Sequence, residues 1–282
     1  MIEETAAIED DGLITPEIGS WGEEKYRHVA LYASLFVKSM RNKWDCLVYI
    51  DLFSGAGRAR IRSTARIVNS SPMAVLGLAD KFDRYIFCEK DRRKSEALRK
   101  RIKKNFPELD THVIDGDANK KVAEILEKMP SYRKDYRVLA FCFVDPYALN
   151  NLRFDTLRGL ATRYMDFLVL IPSGMDAHRF ESIYVKPDNL TIDEFLDNNE
   201  WRCVWTEFRK KGIPFERFIV QQFGKSMETL DYLSPGFEDT KLIRSYEKNL
   251  LLYRLVLYSR HAIGKEFWQQ TKKYSQSQQE MF

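Results

Sequence analysis

Between residues 47 and 173, five short apolar runs alternate with helical patterns, and this alternation restricts the fold more than any other feature. The runs are LVYIDLF (47–53), RYIFCE (84–89), DTHVID (110–115), RVLAFCFVD (137–145) and MDFLVLIPS (165–173). The stretches between them at 70–82, 91–106, 118–129 and 154–164 read as helices, the first opening on a Ser cap with Pro72 in its first turn. Strands separated by helices need crossovers, and crossovers give a parallel sheet covered on both faces. The near-continuous apolar character of 138–144 and 167–171 suits strands buried on both sides. The expected class is α/β, with a mostly parallel sheet between two helical layers.

The flanks complete the plan. Residues 1–20 are acidic, carry Gly12, Pro16 and Gly19, and read as a flexible tail. Tyr26, Val29, Ala30, Ala33, Phe36, Val37 and Met40 recur at helical spacing, so 22–41 reads as an amphipathic helix. After Pro172, helical segments are expected near 191–211 and 214–229. TKLIRSY (240–246) and LLLYRLVLYS (250–259) read as two strands joined by Glu247-Lys248-Asn249, and 261–273 as a helix before a frayed Gln-rich end. Residues 21–282 are expected to form a single domain with a helical insertion at about 187–230.

Composition removes several classes. Hydrophobic residues make up 44% of the 282, enough for a sizeable core, so disorder and fibrous folds are disfavoured. No run of about 18 apolar residues is present, and the acidic N-terminus lacks the apolar core of a secretory signal. Lys and Arg total 45 against 41 Asp and Glu, a net +4 that permits a nucleic-acid partner without demanding one. Cys46, Cys88, Cys142 and Cys203 contain no CxxC pair, which argues against a zinc site. Three of them sit in or beside strand-like runs and read as buried free thiols in a reducing cytoplasm.

Four groups at successive strand ends carry the chemistry. Asp51-Leu52-Phe53-Ser54-Gly55-Ala56-Gly57 follows the first strand, where glycines let a backbone turn tightly and approach a ligand. A dinucleotide fingerprint needs a third glycine at Arg60, and the 32 residues from Gly57 to Glu89 exceed the usual gap of about 20, so a nicotinamide-dependent oxidoreductase is disfavoured. Glu89 ends the second strand, where a carboxylate can accept both ribose hydroxyls of an adenosine ligand or simply favour a helix N-terminus. Asp115-Gly116-Asp117 follows the third; Asp117 is the better candidate to accept from an adenine amino group, with a helix N-cap as the alternative. Val144-Asp145-Pro146-Tyr147 ends the fourth. There a carboxylate and a backbone carbonyl can orient an amine while the aromatic ring stacks on a planar substrate.

Taken in order, these groups resemble the class I S-adenosylmethionine-dependent methyltransferases, a Rossmann-like fold, over about 45–175 and the hairpin at 240–259. The resemblance implies that Asp51, Phe53, Gly55 and Gly57 serve the methionine end of the cofactor, Glu89 the ribose and Asp117 the adenine, with no metal. Trp21 and Lys25 before a helix, then YIDLFSGAG, SSPMAVL, FVDPY and LYSRHAIGKEFW, are similar to the three-Cys-motif partner family. Members of that family look like methyltransferases and are named for pairing with a cysteine-motif protein that resembles radical S-adenosylmethionine enzymes. The chain departs from that pattern at Gly22 and Ala148, where Ser and Gly are expected.

The acceptor chemistry narrows further. DLFSG also resembles cytosine-C5 methyltransferases, but none of the nine prolines precedes a cysteine, so their nucleophile is missing. DPY is similar to the Asp/Asn-Pro-Pro-Tyr of amino-methyltransferases acting on bases, with one proline fewer. The expected activity is methyl transfer to a nitrogen of a nucleic-acid base, with Asp145, Pro146 and Tyr147 positioning the acceptor. Arg58, Arg60, Arg62 and Arg66 come without an intervening acid and can hold phosphates, or can form a solvated loop paired with acids elsewhere. His178 is a possible base past the fifth strand; the four histidines do not cluster. The alternative function is a non-catalytic cofactor-binding protein that docks on a cysteine-motif partner, using Trp201, Trp205 and Phe208 unless these form a local core.

Overall fold

The computed structural model describes residues 8–174, 178–245 and 250–279. In chain order the elements are β1 (Glu17–Ile18), α1 (Trp21–Met40), β2 (Cys46–Asp51), β3 (Arg58–Ile61), β4 (Ile67–Asn69), α2 (Ser71–Leu76), β5 (Arg84–Glu89), α3 (Arg92–Asn105), β6 (Thr111–Asp115), α4 (Val122–Lys128), β7 (Val138–Val144), α5 (Phe154–Leu160) and β8 (Met165–Ile171). Then follow α6 (His178–Tyr184), α7 (Thr191–Leu196), α8 (Trp201–Lys210), α9 (Phe215–Glu228), β9 (Lys241–Ser245), β10 (Leu250–Tyr258) and α10 (Ala262–Gln279).

The main sheet has seven strands in the order β6-β5-β2-β7-β8-β10-β9. The five expected strands run parallel, and β10 enters antiparallel between β8 and β9. The chain leaves β2 towards one edge through β5 and β6, then returns to pair β7 on the other side of β2. The switch point therefore lies between the carboxyl ends of β2 and β7. This strand order, with its single antiparallel insertion, is the class I methyltransferase fold that the sequence motifs imply.

Strand pleating sorts the core into two layers. Leu47, Tyr49, Phe87, Phe141 and Leu168 face α1, α2, α3 and Trp268 of α10. Val48, Ile50, Cys88, Cys142 and Val169 face α4, α5 and the helices α7 to α9. Trp201 and Trp205 are buried against Phe215 and Phe218, so they form a local core and not a docking surface. Cys46, Cys88 and Cys142 are buried and Cys203 is exposed. No helix among the described residues is long and apolar enough to cross a membrane.

The structure corrects the sequence reading in several places. The helix expected at 70–82 stops at Leu76, ahead of Gly77. The one expected at 118–129 begins as a 3-10 turn, Ala118–Lys120, capped by Asp117. The segment 191–211 is broken after Leu196 by Asp197 in the left-handed conformation (φ 51°). The turn at 247–249 lies outside the described residues. The arginine-bearing stretch is a β-hairpin, β3 with β4, and residues 8–20 are not a flexible tail. β1 pairs parallel with β3, and Arg101 of α3, only 1% exposed, gathers the segment ahead of it. Its guanidinium donates to both oxygens of Asp11, to the carbonyls of Ile14 and Ala56, and to the Thr15 hydroxyl. A composition rule for acidic termini does not see this contact, because it belongs to one arginine on a distant helix.

Arg101→Met leaves those acceptors facing an apolar side chain. Removing one partner of a buried pair should lower the unfolding free energy by about 3 kcal/mol. The check is a drop in urea midpoint at unchanged slope; a loss under about 0.5 kcal/mol, the level of ordinary surface substitutions, would show that the segment is held by other contacts.

Candidate active site

The carboxyl ends of β2, β5, β6 and β7 open into a cleft of about 390 Å³ at the switch point. Its walls include Phe53, Ser54 and Gly55 from the glycine turn, Glu89, Asp117 and Asn119, and Asp145 and Tyr147, with Tyr26 of α1 and Pro16 and Ile18 closing one side.

The two glycines of the turn do different work. Gly55 has φ +64° and open space where a side chain would stand, so its backbone is bare toward the cleft. Gly57 has φ +83°, but a side chain there would meet Leu98 at 2.9 Å and Met73 at 3.0 Å. Gly57 is thus required by packing against α2 and α3 and does not line the cleft, contrary to the cofactor contact expected of it. Phe53 lines the cleft while packing against the core beneath.

Asp51 also departs from its expected role. It is fully buried under the turn, where Oδ2 accepts from the Ser71 hydroxyl at 2.7 Å and the Tyr49 hydroxyl at 3.3 Å, and Oδ1 from the Phe53 amide at 3.2 Å. It does not line the cleft; it fixes the turn from below. Burial pushes its carboxyl up to about 7, the Asp145 charge adds to this, and the Ser71 and Phe53 hydrogen bonds oppose it.

Glu89 and Asp117 lie where the strand ends place them. Glu89 accepts from the Gly55 amide at 2.7 Å with one oxygen and from the Asp91 amide at 2.8 Å with the other. Each carboxylate oxygen keeps a second lone pair for a ligand. Asp117 both caps the 3-10 turn, through the Asn119 amide at 3.0 Å, and lines the cleft. Asp115 is turned away, bonded to Ser95 and to Arg99 at 2.9 Å. At the end of β7, Pro146 is buried and fixes the turn, while Tyr147 is 82% exposed at the rim, which excludes a packing role for its ring.

Asp145 is not free. Lys25 of α1 donates to its Oδ2 at 2.6 Å, and both side chains are largely buried, at 12% and 14% exposure. Burial works against the Lys25 charge, but the Asp145 carboxylate beside it holds the ammonium above its ordinary value. Tyr26 places its ring 4.8 Å from the Lys25 nitrogen. Sequence reasoning gave Lys25 no chemistry. The available signal was position: Lys25, Val29, Tyr32 and Phe36 fall on one helical stripe, and the latter three are buried, so a lysine there needs a buried partner.

The remaining expected residues disperse. Arg58 pairs with Asp11 at 3.1 Å, Arg60 with Asp10 at 2.5 Å, Arg62 with Glu17 at 3.8 Å and Arg66 with Glu23. The phosphate-holding loop expected at 58–69 is therefore a hairpin whose arginines are matched by the N-terminal acids; of the four, only Arg58 reaches the cleft. His28, His112 and His261 do not line the cleft, and the side chain of His178 lies outside the described residues. No group of three potential metal ligands occurs among the described residues.

No family model and no curated protein matches the chain. Among solved structures, a protein from Legionella pneumophila aligns over 89% of this chain and 90% of its own, at 11% identity and a TM-score of 0.45. TYW2 of M. jannaschii, solved in complex with AdoMet, aligns over 86% of this chain and 78% of its own, at 11% identity and a TM-score of 0.41. Likeness this loose says nothing of what the chain binds; the fold rests on its strand order.

The buried Asp51 carboxyl makes stability depend on pH. Its folded value near 7 lies above the unfolded 3.8, so its contribution is greatest at low pH and is lost as pH rises toward 7. Between pH 5 and pH 8 the protein should lose about 2–3 kcal/mol relative to Asp51→Asn. Asp166, pushed up to about 6, and His28, lowered to about 4 by burial, act alike in both proteins, so the comparison isolates Asp51. Parallel urea titrations at the two pH values check this; curves that shift equally would mean that Asp51 is ionised throughout.

Proposed function

We propose that this chain is an S-adenosylmethionine-dependent methyltransferase that modifies a nitrogen of a nucleic-acid base. One observation carries the reading: Gly55, Glu89 and Asp117, from the ends of three neighbouring strands, line a single cleft together with Asp145 and Tyr147.

The cleft suits the cofactor. Carboxylates at its wall favour a ligand whose sulfonium and α-ammonium are positive, and Gly55 leaves its backbone open to close approach. Glu89 would accept the ribose hydroxyls, Asp117 the adenine amino group, and the turn at Phe53–Gly55 would receive the methionine end. The bound cofactor supplies an electrophilic methyl group on a sulfonium leaving group. The protein's task is then orientation. Lys25 holds Asp145 through Oδ2 and leaves Oδ1 to accept from an amine. Tyr147, projecting from the rim, offers a stacking surface for a base taken out of its helix.

A second reading draws on the same ion pair. If the Lys25–Asp145 bridge only ties α1 to β7, the acceptor end is already consumed. The chain is then a non-catalytic cofactor-binding protein that docks on a cysteine-motif partner, as similarity to the three-Cys-motif partner family implies.

Calorimetric titration with S-adenosylmethionine and S-adenosylhomocysteine separates these readings. Micromolar binding should weaken at least tenfold in Glu89→Ala and in Asp117→Ala. Asp145→Asn should keep cofactor affinity while abolishing transfer of labelled methyl to DNA or RNA oligonucleotides. Binding without transfer to either nucleic acid favours the docking reading, and no binding by folded wild-type protein rejects both.

A further inference from the structure

The hairpin and the acids laid on it form a charge-matched surface that the proposed chemistry leaves unused. Arg58 and Arg60 alternate along β3 and so share one face of the strand, and Arg62 follows two residues on, at the start of the turn. Alternate residues of a strand stand about 6.6 Å apart, a spacing comparable to that of successive phosphates along an extended nucleic-acid strand. Arg66 returns on the other arm of the hairpin. From Ile8 to Glu24 the chain carries six acids and no base, and four of those acids meet the four arginines.

The pairs fall into two kinds. Asp11 is anchored: it binds both Arg58 and the buried Arg101, and its carboxyl is held down to about 2, chiefly by the Arg101 hydrogen bonds. Asp10, Glu17 and Glu23 are 46–62% exposed, and their pairs with Arg60, Arg62 and Arg66 lie at the surface, where such pairs contribute little and exchange readily. The row also leads into the cleft, because Arg58, Lys90 and Lys94 line its wall beside Pro16 and Ile18 of the same N-terminal segment.

From this placement we infer that the β3–β4 hairpin is a binding surface for the phosphate backbone of a nucleic-acid strand, masked in this state by the chain's own acidic segment. A strand displaces Asp10, Glu17 and Glu23 one pair at a time while Asp11 keeps the segment tethered through Arg101. This rests on the nucleic-acid reading above and adds to it the path of the backbone and the group that competes for it.

The test uses the full-length chain and a short fluorescein-labelled single-stranded DNA, with the RNA of the same sequence alongside, followed by anisotropy across a salt series. The unmasked variant carries Asp10→Asn, Glu17→Gln and Glu23→Gln. A control variant carries Glu108→Gln, Glu127→Gln and Asp135→Asn, the same change of charge near the amino ends of the strands. The unmasked variant should bind about tenfold tighter than wild type with a steeper salt dependence, the control should not, and adding Arg62→Gln and Arg66→Gln should remove the gain. Equal binding by unmasked and control variants overturns the inference, as does a gain that survives loss of the two arginines. A gain for anionic phospholipid vesicles in place of oligonucleotides also overturns it. Cofactor titration of the unmasked variant is read separately. Unchanged S-adenosylmethionine binding with no oligonucleotide gain rejects the inference alone, whereas absent cofactor binding rejects the methyltransferase reading.

Discussion

The glycine turn after β2 is the constraint around which the cleft is built, and the buried carboxyl of Asp51 fixes it. Three donors from three places converge on that carboxyl: the Tyr49 hydroxyl on the strand, the Phe53 amide in the turn and the Ser71 hydroxyl at the start of α2. Burying a carboxyl among apolar strands is unfavourable, and these donors offset part of the cost. Glu89 then holds the turn from the side through the Gly55 amide, and Arg101 holds it at the Ala56 carbonyl. A backbone that must stay bare toward a ligand cannot be stabilised by packing on that side. The support comes from polar groups on the others.

Arg101 extends the same support to the N-terminal segment. One guanidinium satisfies a carboxylate, backbone carbonyls and a hydroxyl at 1% exposure. Its planar fork of five donors is what allows a single side chain to join the glycine turn, α3 and residues 11–15. The surface pairs further along the hairpin have none of this desolvation, and salt screens them. Anchored and exchangeable contacts therefore follow one another along one short segment: Asp11 fixes Arg58 at the cleft end of the row, and the exchangeable acids cover Arg60, Arg62 and Arg66.

What the sequence made legible follows from locality. The strands of the central sheet are buried on both faces, so their apolar runs and polar ends can be read directly, and Glu89, Asp117, Asp145 and Tyr147 fall at those ends by chain order alone. Gly55 and Gly57 look alike in sequence; only Leu98 and Met73 distinguish the packing glycine from the one facing the cleft. Asp51 looked like a ligand because it heads the motif, but its neighbours in space are Tyr49 and Ser71. The misread parts are those whose partners are distant: Arg101 lies 90 residues from Asp11, and Lys25 lies 120 from Asp145. No periodicity couples such positions. A charged residue on an otherwise buried stripe says that a partner exists without saying where.

The Lys25–Asp145 pair bears directly on how the proposed reaction would be set up. The exocyclic amine of a base is neutral, its lone pair drawn into the ring, and an unpaired carboxylate at the acceptor position would favour a cation there over such a neutral group. A lysine bonded to that carboxylate at 2.6 Å cancels most of this bias and leaves one oxygen as a directional acceptor. The two other cleft acids, Glu89 and Asp117, stand at different strand ends, where a positively charged cofactor would benefit from them. Asp117 meets the exposed Lys90 at 3.5 Å, whereas Asp145 meets Lys25 at 2.6 Å in a largely buried pair, so the two ends divide by how closely their acids are matched. The division is produced by one residue from α1, which is why the helix ahead of the sheet belongs to the site as much as the strands do.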